Sequence, residues 1–241
     1  MKRPGGRAAA RLDALAAEWS LDPGAVESLG LLLAMVRDDA RAATSVRDPA
    51  EAVDVHVADS LTALPVLDRA APSAQVADIG SGAGFPGLPL AIARPGMQVH
   101  LIEATRRKCD FMETAVAALQ LGNVTVVNAR AEDWARAAGR ERYAAVLARA
   151  VAPLATLAEY AAPLLAIGGL LVAWKGARAE DEERAGAAAA AALGMRPLTA
   201  ERVRPYPGSR AHTLHLYEKV RATPAEFPRR AGSARKQPLG A

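Results

Sequence analysis

The chain has 241 residues, 51% of them hydrophobic, with a mean hydropathy of +0.04 and a formal net charge of +4. Wholesale disorder is excluded: this is enough apolar material for one generous core, which saturates at roughly 250–300 residues. A single cysteine, Cys109, excludes an internal disulfide framework and a cysteine-built zinc site, and no stretch reaches the roughly 20 apolar residues that span a bilayer, so a soluble cytoplasmic protein without a metal centre is expected.

Lys2, Arg3, Arg7 and Arg11 precede any acid, after which residues 7–19 read as a short amphipathic helix. Asp22 with Pro23 reads as a cap and first helical position, launching a helix through Leu31-Leu32-Leu33. Asp48-Pro49-Ala50-Glu51 repeats the device and opens a helix expected to run to about Leu67. It carries His56, Asp59 and Ser60, spaced to share one face, where they either close over bound ligands or form a hydrogen-bonded seam to the rest of the fold.

From Gln75 the pattern changes to strands at 75–79, 98–103, 123–128, 143–148 and 168–174, with helices expected at 88–93, 105–121, 132–138 and 154–166. Alternation of this kind makes a doubly wound parallel sheet. The alanine-rich segment 180–193 has high helix propensity, and 211–220 alternates as an antiparallel edge strand should. The expected organisation is therefore a helical extension at 1–70, a ligand-binding α/β domain at 71–220 and a basic tail at 221–241, extended or ordered only by a partner. Basic residues at both chain ends suit a polyanion or a solubilising surface.

The chemistry concentrates in Asp78-Ile79-Gly80-Ser81-Gly82-Ala83-Gly84-Phe85-Pro86-Gly87, where the first strand turns into a helix. Gly82, Gly84 and Gly87 fit the G-x-G-x-x-G spacing of dinucleotide binders, which predicts a nicotinamide-dependent reductase. Asp78, Gly80, Gly82 and Gly84 fit the acidic-x-G-x-G-x-G pattern resembling motif I of S-adenosylmethionine (SAM) methyltransferases. A carboxylate repels a pyrophosphate and favours the cationic methionine part of SAM, so Asp78 tips the choice toward SAM. Glu103, ending the second strand, suits a ribose hydroxyl in either frame. Ala131 and Glu132 stand where such sheets frame the adenine. Arg149, ending the fourth strand, needs a partner: the cofactor carboxylate, a substrate phosphate or an internal carboxylate such as Asp78.

The residues after the fourth strand are Ala148-Arg149-Ala150-Val151-Ala152-Pro153, without the Asp/Asn-Pro-Pro-aromatic group that holds an exocyclic amine. Cys109 sits in the helix after the second strand, away from where pyrimidine C5 chemistry needs a nucleophile, and only Lys175 matches a ribose-methylating Lys-Asp-Lys-Glu set. Guanine N7 fits the remainder: its in-plane lone pair carries no proton, so no catalytic base is expected, only positioning. A third reading is a ribosome assembly factor that holds SAM or RNA without turnover.

Over about residue 44 to the C-terminus, the chain resembles the bacterial ribosomal RNA small subunit methyltransferase G family, also called glucose-inhibited division protein B. The likeness is carried by Thr44-Ser45-Val46-Arg47-Asp48-Pro49, His56-Val57-Ala58-Asp59-Ser60, the glycine segment through Leu88-Pro89-Leu90, Arg130-Ala131-Glu132, Arg149-Ala150, Lys175-Gly176 and Phe227-Pro228-Arg229-Arg230-Ala231-Gly232. Members usually have Asn-Leu where Ala42-Ala43 stands here. The resemblance implies a Rossmann-like class I fold with a mostly parallel seven-stranded sheet. It also implies SAM-dependent N7 methylation of one guanine in the 530 loop of 16S rRNA, by a monomer acting on the 30S subunit or its precursor. Its cofactor site would comprise Asp78, Gly80, Ser81, Gly82, Gly84, Phe85, Glu103, Ala104, Thr105, Ala131, Glu132 and Arg149. His56, Asp59 and Ser60, with the cations Lys175, Arg202, Arg204, Arg210, Arg229, Arg230 and Lys236, are the RNA-contact candidates.

Overall fold

The computed structural model describes residues 5–42, 44–46, 48–70, 74–209 and 212–240. Helix α1 (Gly6–Trp19) buries Ala8, Leu12 and Leu15 along one stripe, and α2 (Pro23–Asp38) packs on it through Val26, Leu29, Leu32 and Leu33. Pro23 takes the first position of α2, and Asp22 serves it through its main-chain oxygen, which accepts from Ala25 and Val26, its carboxylate making no capping bond among the described residues. Asp48 caps as expected: its Oδ1 accepts from the Ala50 and Glu51 N–H groups at 2.9 Å each.

The helix that follows is interrupted, contrary to the single run expected to Leu67. After α3 (Pro49–Ala52) the chain makes a π-helical segment, Val53–Ala58, then α4 (Asp59–Leu61) and, past a turn, α5 (Leu64–Ala70). One extra residue in a turn displaces the following side chains by about 100°, so the one-face arithmetic for His56, Asp59 and Ser60 does not hold. His56 and Asp59 instead reach different neighbours, described below.

Seven strands form one sheet: β1 (Gln75–Ile79), β2 (Gln98–Glu103), β3 (Val124–Asn128), β4 (Tyr143–Arg149), β5 (Leu165–Lys175), β6 (Met195–Val203) and β7 (His212–Lys219), in the order β3-β2-β1-β4-β5-β7-β6. β1 to β5 pair in parallel, and β7 runs antiparallel to both β5 and β6. The expected edge strand is thus an inner one. β6 covers it; the sequence pattern hides β6 because Pro197 and a register shift before Ala200 break its alternation. Helices α6 (Gly87–Ala93), α7 (Arg106–Ala118), α8 (Ala131–Arg136), α9 (Leu154–Ala161) and α10 (Glu180–Ala192) fill the crossovers.

The strands alternate between two apolar layers. Val76, Leu101, Leu147, Val172 and Trp174 join the core shared with α1 to α7, so the first seventy residues bury their apolar stripe against the sheet. Ala77, Ile79, Ile102, Val146 and Ala148 face α9 and α10, where Ala155, Ala158, Ala161, Ala189 and Ala190 allow close helix packing in place of large rings. The tail is also folded on this second layer, contrary to the extended form expected. Arg136 donates to Pro228 O at 2.9 Å, Arg140 to Phe227 O at 2.9 Å, and Thr156 to Ala234 O at 3.2 Å at the short helix α11 (Ser233–Lys236).

Candidate active site

Strand order reverses between β1 and β4, which places the ends of these two strands at the sheet's switch point. Gly80, Gly82 and Gly84 turn the chain there with φ of 67°, 61° and 90°. At Gly84 a side chain is excluded twice over, by that left-handed backbone and by Leu88 Cδ1, 2.3 Å from where a Cβ would lie. The loop is pinned to β2 by the Gly80 N–H, which donates to Ile102 O at 2.8 Å, and to β1 by Ser81 Oγ, which donates to Asp78 O at 2.7 Å.

Asp78 is buried beneath this loop. Its Oδ2 accepts from the Gly87 N–H at 2.9 Å, while Oδ1 has no hydrogen-bond partner among the described residues. Burial pushes its carboxyl up to about 7, against the opposing pull of the Gly87 N–H and Arg149. Asp78 is therefore a loop-shaping group more than a free anion facing a ligand, and its charge does not by itself separate SAM from a dinucleotide.

Glu103, at the end of β2, takes over that part. Its Oε2 accepts from the Gly82 N–H at 3.1 Å and its Oε1 from the Thr105 N–H at 2.8 Å, so each oxygen retains a lone pair. Two adjacent acceptors on a fixed carboxylate are what vicinal ribose hydroxyls require, and the residues present therefore fit the nucleoside part of SAM. Ala104 and Thr105 lie exposed beside it and Ala131 opens α8 beyond β3. Glu132 does not join them: its Oε1 accepts from the tail's Gly232 N–H at 2.9 Å, a use the sequence could not show because the two are a hundred positions apart.

Arg149 finds an internal carboxylate, though a different one from Asp78. Its Nη1 donates to Asp59 Oδ2 at 2.8 Å and to Val55 O at 3.1 Å. Asp59 Oδ1 meets His212 Nδ1 at 2.8 Å, and the Asp59 main-chain oxygen accepts from Trp174 Nε1 at 3.1 Å. The π-helical segment thus delivers one carboxylate to the ends of β4, β5 and β7. His56 takes the other direction and stacks on Phe85, with its Nε2 3.0 Å from Thr44 Oγ1 and its ring held neutral down to about 4 by burial and by Arg149. Ser60 Oγ donates to His56 O at 2.5 Å, within the seam.

Beside this hub opens a cleft of about 490 Å³ lined by Asp59, Arg149, Trp174 and His212, and by Val151, Lys175 and Glu182 beyond them. Its size is that of a small-molecule site. Val151 joins the two halves of the site: it lines the cleft and lies 2.9 Å from where a Gly80 Cβ would stand. His212, Trp174 and Glu182 were not singled out from sequence; they become site residues only through strand pairing of β5 with β7 and the placement of α10.

The cations scatter. Lys175 is in the cleft, paired with Glu182 at 2.6 Å. Arg202 and Arg204 are exposed at the end of β6 and just beyond it, with Arg204 near Arg11 and Glu18 of α1. Arg230 and Lys236 are exposed on the docked tail, but Arg229 is occupied in a bidentate pair with the buried Glu159 and is withdrawn as a free RNA contact. Arg210 lies outside the described residues.

Comparison with known proteins agrees with this architecture. Residues 31–206 match the model of the GidB family, rRNA small subunit methyltransferase G. The Ribosomal RNA small subunit methyltransferase G of Rubrobacter xylanophilus is 45% identical over 219 residues, covering 89% of this chain and 82% of that protein. That of Deinococcus radiodurans is 41% identical over 218 residues, covering 88% and 85%. Among solved structures, a 16S rRNA (adenine(1408)-N1)-methyltransferase variant from Catenulisporales acidiphilia, with SAM as cosubstrate, shares the fold with a TM-score of 0.53 at 17% identity, covering 66% of this chain and 92% of that one. A transferase of Pyrococcus horikoshii does so at 0.52 and 14%, covering 68% and 64%. The fold is that of class I SAM-dependent methyltransferases, and the chain belongs to the rRNA small subunit methyltransferase G family.

Proposed function

We propose that the chain transfers a methyl group from SAM to N7 of guanine 527 in 16S rRNA, acting as a cytoplasmic monomer on the 30S subunit or its precursor. The observation that carries the reading is the pairing of the Glu103 and glycine-loop cradle with a cleft in which both lining carboxylates are already matched to cations, Asp59 to Arg149 and Glu182 to Lys175. Both carboxylates are ion-paired, and guanine N7, whose in-plane lone pair carries no proton, asks for no base from the cleft.

SAM, when bound, supplies an electrophilic methyl on a sulfonium. Glu103 would hold the ribose hydroxyls, and the Gly80 to Gly84 backbone would line the nucleoside's approach. Val151 and Trp174 wall the cleft with apolar surface and displace water, while Asp59 keeps the Arg149 guanidinium fixed at the boundary between cofactor and acceptor. The N7 lone pair forms the new carbon–nitrogen bond, the carbon–sulfur pair stays on sulfur, and no proton is released. Alignment of this kind is worth roughly 7–11 kcal/mol of barrier.

The test is transfer of labelled methyl from SAM to 30S particles of a strain lacking the modification, followed by borohydride and aniline cleavage with primer extension. A single stop at guanine 527 is expected; labelling elsewhere, or none, sinks the assignment.

A further inference from the structure

Lys175 and Glu182 line the cleft side by side as an ion pair. Glu182 Oε1 accepts from Lys175 Nζ at 2.6 Å and from the Leu154 N–H at 3.0 Å, which uses both of its lone pairs, while Oε2 takes part in neither bond. Lys175 Nζ also reaches Ala152 O at 3.4 Å, leaving one of its three N–H groups. The other acids in the first turn of α10 do not line the cleft, and Glu183 is taken up by Arg178 at 2.5 Å. The cleft therefore presents one cationic donor next to an anionic oxygen that takes part in no hydrogen bond among the described residues.

A guanine offers the complement on its Watson–Crick edge: the O6 acceptor followed by the N1–H and N2–H donors. An adenine sets a donor against the ammonium and a lone pair against the carboxylate, and is repelled at both. Uracil matches only the first two groups. Holding guanine by this edge leaves N7, on the adjoining Hoogsteen edge, free to face the cofactor.

We propose, resting on the guanine-N7 reading above, that Lys175 takes O6 and Glu182 Oε2 takes N1–H and N2–H of the target base. Glu182 then does more than select. When N7 donates its lone pair to the methyl carbon and the carbon–sulfur pair departs with sulfur, the purine becomes cationic. Its N1–H grows more acidic and its bond to the carboxylate strengthens. This is an interaction larger in the transition state than in the ground state.

The experiment uses 30S particles reconstituted with 16S rRNA carrying guanosine or inosine, which lacks only the N2 amino group, at the target position. Glu182→Gln keeps an acceptor for the Leu154 N–H and Lys175 but removes the charge. With wild type, inosine is expected to lower kcat/KM about tenfold. Glu182→Gln is expected to lower kcat on guanosine by about 10- to 100-fold, with SAM affinity unchanged by calorimetry, and to shrink the inosine penalty below about threefold. Lys175→Ala, a second variant on strand β5 instead of helix α10, should slow guanosine while keeping the inosine penalty, because the N2 contact remains. An inosine penalty in Glu182→Gln equal to that of wild type, an undiminished rate on guanosine, or loss of SAM binding would each overturn the proposal. Wild-type enzyme that leaves guanosine particles unmethylated overturns the guanine-N7 reading itself, and this inference with it.

Discussion

The Phe85 ring lies flat against the His56 imidazole, with centroids 4.5 Å apart and planes 15° from parallel. Phe85 belongs to the glycine loop and His56 to the π-helical segment, so the stack ties that loop to the N-terminal helices. The Arg149 guanidinium, 5.8 Å from the Phe85 centroid, adds the end of β4 to the same contact. Glycine loop, helical layer and the end of β4 therefore meet in one packed contact.

That coupling is measurable. In a double-mutant cycle of Phe85→Leu and His56→Gln, urea denaturation should give an interaction energy of about 0.5–1.5 kcal/mol. Calorimetric SAM affinity should fall in both single variants, although neither residue is among the hydroxyl-binding groups. Additive stabilities with unchanged SAM affinity would reduce the stack to mere adjacency.

Asp78 and His56 give opposite pH dependences. Asp78 is held up to about 7 from an ordinary 3.8, chiefly by burial; across that interval the native chain keeps a proton that the unfolded chain has released, so stability falls as pH rises. His56 is pushed down to about 4 from 6.5, first by burial and then by Arg149; across that interval the unfolded chain binds a proton that the native chain refuses, so stability falls as pH drops. The two slopes, each up to about 1.4 kcal/mol per pH unit, oppose one another over most of the same range. Asp78→Asn should therefore make stability climb more steeply than wild type between about pH 4 and 6.5, and His56→Gln should make it decline through about pH 7. Parallel profiles for the three proteins in urea titrations would refute both assignments.

What the sequence revealed and what it concealed divide by distance along the chain. The glycine turn, Glu103 and Arg149 were legible because each sits at a strand end whose apolar run and following turn are local signals. The Asp59 partnership was not: it joins residues 90 and 153 positions away, and depends on a π turn that no periodicity announces. β6 was hidden by Pro197 and its mostly exposed face. Lys219, at the end of β7, is fully buried and donates to Ala162 O and Thr223 Oγ1, partners 57 and 4 positions away that no local pattern announces.

The clearest case of concealment also yields a prediction. Arg229 reads as an RNA-contact cation, yet its guanidinium grips Glu159 through Nη2 at 2.5 Å and Nε at 2.9 Å, and the Glu159 side chain is 1% exposed. Removing one partner of a buried pair strands the other charge, so Arg229→Ala should cost about 3 kcal/mol in urea denaturation and free the tail to faster tryptic cleavage. Glu159→Leu combined with Arg229→Met should recover much of that loss, because no lone charge is left inside. The solvated alternative predicts something different: unchanged stability, and a salt dependence of 30S binding whose slope is smaller by about one for Arg229→Ala. Exposed Arg230 serves as the control for that slope, since its side chain makes no comparable internal bond among the described residues. Stability that holds while the Arg229 slope falls would return this arginine to the RNA surface and leave Glu159 without a structural reason for its burial.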